Sequence, residues 1–121
     1  MMRTEGLTKN FDAEAPVAPH RIVTFGTKDY LAQQASGTST YMLGVADSLG
    51  AEDAGDPLDV ILDGIAHVDY GAEVSRGEPL TADADGKAVP ASTGNHVVGY
   101  AMHTGAAGDR GSVRVMPHLH A

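Results

Sequence analysis

Cysteine and tryptophan are absent from the 121 residues, and only two phenylalanines and four tyrosines occur. Without cysteine there is no disulfide framework, zinc–thiolate cluster or thiol nucleophile. Glycosidases set two carboxylates across a cleft, usually one lined with aromatics. With so few aromatic rings, Glu52, Asp53, Asp56 and Asp59 read as a solvated acidic loop instead. Positive charge is also scarce. Eight Lys and Arg against sixteen Asp and Glu leave a formal charge of −8, and the basic residues form no stripe. A nucleic-acid partner is therefore not expected, because phosphate contacts need a basic face. No apolar run reaches the length of about 18 residues that a membrane span requires. The N-terminus carries charges where a secretory signal would have an apolar block. The expectation is a soluble protein with no membrane partner and no targeting signal. Helical periodicity is missing too, since no long segment shows an apolar stripe at a 3.6-residue period.

What remains is rich in turns. Fifteen glycines and six prolines separate short runs of Val, Ile and Leu, the pattern of many short strands. The predicted strands are His20–Phe25, Tyr30–Gln34, Tyr41–Ala46, Leu58–Leu62, Ile65–Tyr70, Val97–Met102 and Ser112–Met116. Asp63-Gly64 and Asp85-Gly86 are both hairpin signals, because a type I′ turn needs positive φ at its centre. The fold class expected is all-β: a small single-domain barrel or sandwich of short strands, with an extended N-terminal arm. The arm spans residues 1–19, which hold Pro16 and Pro19 and no clear period. The β-rich domain spans residues 20–121. A faint echo runs through that domain at a spacing of 55 residues: Gly44 and Gly99, Gly50 and Gly105, Val60 and Val115. Each copy reads as strand, small-residue loop, strand.

Several stretches hint at chemistry and fall short of it. In Thr81-Ala82-Asp83-Ala84-Asp85-Gly86-Lys87-Ala88-Val89-Pro90-Ala91-Ser92, alternating acids before a glycine resemble a calcium loop. Thr81 stands where the first aspartate belongs and Ser92 where the bidentate glutamate belongs. The stretch reads as a tight surface hairpin. Gly50–Asp56 has the glycine spacing of a phosphate loop but places Asp56 where lysine must reach the phosphate. Gly105–Gly111 lacks the dinucleotide spacing. His118 and His120 are set for one side of a strand, and His67 and Asp69 share a face. No Gly-x-Ser-x-Gly nucleophile accompanies them. No cofactor is expected.

The order of phrases carries a resemblance. Leu43-Gly44-Val45-Ala46-Asp47, Leu58 to Ala66, Val68-Asp69-Tyr70-Gly71, and Arg76-Gly77-Glu78-Pro79-Leu80-Thr81-Ala82-Asp83-Ala84-Asp85-Gly86-Lys87-Ala88 resemble the capsid decoration, or cement, proteins of tailed bacteriophages. Gly99-Tyr100-Ala101 and Gly108 to Val115 match the usual ending. The likeness covers roughly residues 20 to 117, and its most specific part is the run around Pro79 to Ala88. It implies a β-rich, non-enzymatic virion protein on the outer capsid surface, made in the bacterial cytoplasm. Such a protein braces subunits of the phage major capsid protein. It also implies a homo-oligomer, with a trimer favoured and a dimer as the alternative. The arm, through Leu7, Phe11, Val17 and Pro19, is the expected capsid grip, ordering on contact by strand addition. Two readings compete with this one. A small metal-dependent barrel enzyme would use His67, Asp69, His118 and His120, and a non-viral sugar- or peptide-binding barrel would need an aromatic groove.

Overall fold

Alternation along the chain writes several of the strands. Leu58 and Val60 are fully buried while Pro57 and Asp59 face water, and Ala66 and Val68 alternate with exposed Ile65 and His67. Period-2 burial of this kind commits one face of a strand to a core. The computed structural model describes residues 7–38 and 40–120. Among them lie ten strands: β1 Thr8–Ala13, β2 Ile22–Phe25, β3 Leu31–Gln34, β4 Met42–Ala46, β5 Pro57–Ile61, β6 Gly64–Asp69, β7 Pro79–Ala82, β8 Ala88–Pro90, β9 His96–Ala101 and β10 Arg110–Leu119. The first five close into a barrel in the order β1-β3-β2-β4-β5, and the others form a sheet in the order β6-β10-β9-β7-β8. The all-β expectation holds.

Two expectations fail. Residues 8–19 are not a loose arm but part of the first barrel. β1 runs antiparallel to β5 from Thr8↔Ile61 to Asp12↔Pro57 and parallel to β3 at Asp12↔Leu31 and Ala13↔Ala32. Phe11 and Ala13 are buried and alternate with exposed Asn10 and Asp12. Pro16 and Pro19 come after the strand has ended, so they bend the chain without breaking a ladder. Residues 1–6 of the expected arm lie outside the described residues. Secondly, Asp63-Gly64 joins no hairpin. β5 pairs with β1 and β4, β6 pairs with β10, and the dipeptide carries the chain from one sheet to the other. Gly64 does adopt positive φ, 93°. The local turn chemistry was right, but long-range pairing decides where the strands go.

The two sheets are copies of one unit. Each strand of the first has a counterpart in the second: β1 with β6, β2 with β7, β3 with β8, β4 with β9 and β5 with β10. Four of the five neighbour relations match, and the β1–β3 pairing that closes the barrel is echoed only by the isolated parallel bridge Tyr70↔Ala88. Ile22↔Val45 becomes Pro79↔Tyr100, Val45↔Ile61 becomes Tyr100↔Arg114, and Thr8↔Ile61 becomes Ile65↔Arg114. Loop bonds repeat as well. Val17 and Ala51 exchange two backbone hydrogen bonds, as Val74 and Gly105 do, and Gly55 N–H donates to Ala13 as Gly108 N–H donates to Tyr70. The left-handed positions coincide too: His20 (φ 62°) with Gly77 (91°), and Tyr30 (68°) with Gly86 (76°). Left-handed backbone disfavours residues with a Cβ, so only the second copy has relieved these sites with glycine. β4 and β9 each carry a glycine, Gly44 or Gly99, where a Cβ would run into the carbonyl oxygen of Ile61 or Arg114.

The cores are not symmetric. One contains only first-unit residues, among them Phe11, Val23, Leu58 and Val60. The other holds the second unit's Val68, Tyr70, Leu80, Val98 and Val113 together with Ile22, Ala35, Met42 and Val45 from the outside of the first. Volume is traded between copies. Ala13 and Leu58 of the first unit correspond to Tyr70 and Gly111 of the second, and a Cβ on Gly111 would strike the Tyr70 ring. The buried Tyr70 hydroxyl donates to the His103 carbonyl at 2.7 Å.

Candidate functional site

The residues singled out in the sequence are scattered. Phe11 and Val17 are core, Pro19 is half-buried, and Leu7 alone of the four is well exposed, at 61%. The backbone carbonyl of Leu7 accepts from Leu62 N–H at 2.8 Å. The acidic hairpin is a self-contained turn. One carboxylate oxygen of Asp83 accepts backbone N–H bonds from Asp85 at 2.8 Å and Lys87 at 2.9 Å.

The histidines do not assemble a reaction centre. Asp69 does not orient His67; its two oxygens bind Arg21 at 3.3 Å and Arg110 at 2.7 Å. Partial burial works against its charge, but the hydrogen bonds and positive charge of Arg110 and Arg21 prevail and hold its pKa below the usual aspartate value. His67 meets the edge of the His20 ring, with centroids 6.2 Å apart. His118 stacks on Tyr100 at 5.5 Å and makes a 2.7 Å contact from Nδ1 to the Met116 carbonyl. His120 uses its backbone to bond Asn95 and Gly94. Among the described residues, no three His, Cys, Asp or Glu side chains gather as metal ligands.

Apolar surface is where the molecule has something left to offer. Monomeric proteins rarely expose contiguous apolar patches without a use for them. One patch lies on the first unit. Phe25 and Tyr41 stack with centroids 5.6 Å apart, and Tyr41 meets the edge of His96 at 6.5 Å. Beside Phe25 is a hollow lined by Lys9, Phe11, Lys28 and Tyr30, with the Lys9 ammonium 5.7 Å from the Phe11 ring centre. The second patch lies on the outward face of β6, β10 and β9, where Ile65, Arg114 and Tyr100 stand side by side across three strands. Met102, just past the end of β9, and Met116 on β10 flank the row on opposite sides, and all five are exposed. Leu62, Asp63, Pro117 and His118 complete a shallow groove next to it. These residues were missed in the sequence because single exposed apolar residues are ordinary. The available signal was parity: Tyr100 and Met102 flank buried Ala101, and Arg114 and Met116 alternate with Val113 and Val115.

Residues 1–117 match the family model described as phage cement protein. Among solved structures, the chain is similar to the N base of head fiber gp8.5 of bacteriophage phi29, with a TM-score of 0.71 and 20% identity. The match covers 95% of this chain and 98% of the phi29 chain. At that identity the likeness is one of fold. No curated protein matches by sequence.

Proposed function

The chain belongs to the phage cement protein family, and from that premise we propose that it binds the outside of a phage capsid and stabilises the shell by bridging major capsid subunits. It is a structural protein of the phage particle. The family match over nearly the whole chain carries the reading. The architecture supports it: the second unit's core takes in Ile22, Ala35, Met42 and Val45 from the first, and two units locked together in this way resist deformation when held between neighbours. The net charge of −8 suits an outward position away from packaged DNA, since like charge keeps the protein off the nucleic acid. The protein acts without catalysis or cofactor. It works as a homo-oligomer, a trimer at three-fold or quasi-three-fold positions, which makes attachment multivalent. The exposed Leu7, just before β1, contributes a contact with the shell.

The test is direct. Purified protein is mixed with shells assembled from the major capsid protein of the same phage, sedimented, and heated. Co-sedimentation at a fixed ratio with a higher disruption temperature is expected. Shells that neither retain the protein nor gain heat resistance would sink the proposal. Sedimentation velocity of the free protein reports the oligomer, and a monomer at all concentrations removes the trimer.

A further inference from the structure

We propose that the outward row Ile65–Arg114–Tyr100, with Met102 and Met116, is the face that docks on the capsid subunit. This rests on the capsid-binding reading above and names its surface.

The duplication makes this face stand out. In the first unit the row running across β2, β4 and β5 is Ile22–Val45–Ile61. Ile22 and Val45 are fully buried in the second unit's core, and Ile61 packs against it. The same row in the second unit is Pro79–Tyr100–Arg114, continued by Ile65. Among the described residues His118 stacks on Tyr100, while Ile65, Tyr100 and Arg114 stay exposed. In stacked repeats each unit buries one face against the next, and a terminal unit ends in a polar cap when it has no further neighbour. This terminal face is not a polar cap. It has replaced Val45 by Tyr100 and Ile61 by Arg114, residue types enriched at protein–protein contacts along with methionine.

A second copy of the chain is a poor occupant. A two-fold contact centred on the row would bring Arg114 against its own copy, and like charges at a contact centre are costly. A head-to-tail contact would need the first unit to offer the inner face that the second unit offers. That face is sealed by the β1–β3 pairing and filled by its own core. The occupant assigned to the row is a different protein, with apolar groups around a carboxylate that meets Arg114; a ring contact with another patch of this chain is the rival that sedimentation velocity detects. Arg114 has no ion pair among the described residues. Asp63 lies at the groove edge, and Asp69, further along β6, already binds Arg21 and Arg110. On the capsid-binding reading, that partner is the shell subunit.

The experiment uses the same shells and sedimentation assay with Arg114→Glu and Met116→Glu, each at an exposed position. Leu49→Glu, on the 79% exposed loop residue, controls for added charge. Circular dichroism and melting temperature check folding. Apparent affinity should fall about tenfold or more in both face variants and stay unchanged in the control. If wild type binds and the face variants bind equally well, the face is wrong and capsid binding stands. If wild type fails to bind, the functional proposal falls instead. If the variants break an oligomer in sedimentation velocity, the row is a self-contact and the inference is overturned.

Discussion

Replacing Tyr70 by alanine and Gly111 by leucine together would rebuild the packing of the first unit inside the second. Tyr70 is fully buried, so Tyr70→Ala leaves a cavity of aromatic size and should cost about 3–5 kcal/mol. Gly111→Leu alone forces a side chain onto the Tyr70 ring, an overpacking penalty of about 1–3 kcal/mol. Independent effects would sum to about 4–8 kcal/mol, a large share of the roughly 5–15 kcal/mol that holds a domain together. Ala13 and Leu58 show that the opposite distribution of volume fits the same strands. The double variant should therefore be no less stable than Tyr70→Ala alone, with a coupling of about 2 kcal/mol or more in the recovering direction. Urea unfolding of all four proteins, read as midpoint shifts at constant slope, measures this cycle. A double variant that loses the full sum would refute the equivalence of the two units at this position.

Other sites give further expected outcomes. Gly44→Ala and Gly99→Ala should each cost about 3 kcal/mol, because the new Cβ meets a strand carbonyl that cannot move away. Gly37→Ala, with open space around it, should stay within about 0.5 kcal/mol by thermal melting. Tyr30→Gly should raise stability by about 0.5–1 kcal/mol in urea titration, since relief of left-handed strain exceeds the entropy of an added glycine. A loss would show that the largely exposed ring has a partner in the free protein. Asp69 has a folded pKa below its unfolded value. Its contribution is therefore present above about pH 4, the unfolded aspartate range, and disappears as pH falls through the folded pKa. Asp69→Asn should cost about 1–3 kcal/mol at pH 7 and flatten the acid side of the stability profile. An unchanged profile would mean that the Arg21 and Arg110 contacts contribute nothing to stability.

The legible part of the fold was the part written in local pattern. Short apolar runs and Asp85-Gly86 placed β2 to β9 closely, but Ser112–Met116 is only the middle half of β10. The duplication showed through only at Gly44 and Gly99, where close backbone approach demands glycine in both copies. Its other strands do not share that spacing: Ile22 and Pro79 are 57 apart, and Ile61 and Arg114 are 53. Val60 therefore corresponds to Val113, not to the Val115 that a fixed spacing selects. Loops of unequal length hide such repeats from any single offset. The barrel role of β1 was hidden for a different reason. Asn10 and Asp12 are poor strand formers, and only pairing with β5, far along the chain, makes their segment a strand. The candidate face was the least legible, because exposure is a property of what the rest of the molecule leaves uncovered.

The unequal cores also set an order of events for a chain made from its N-terminus. Every side chain in the first unit's core is on hand once β5 has emerged, and that core borrows nothing from the later strands. The second unit's core is incomplete without Ile22, Ala35, Met42 and Val45. Dependence thus runs one way, with the early half acting as the template on which the late half is laid. Shortening the chain after Leu62 should leave a foldable remnant, whereas the second half made alone should not hold together.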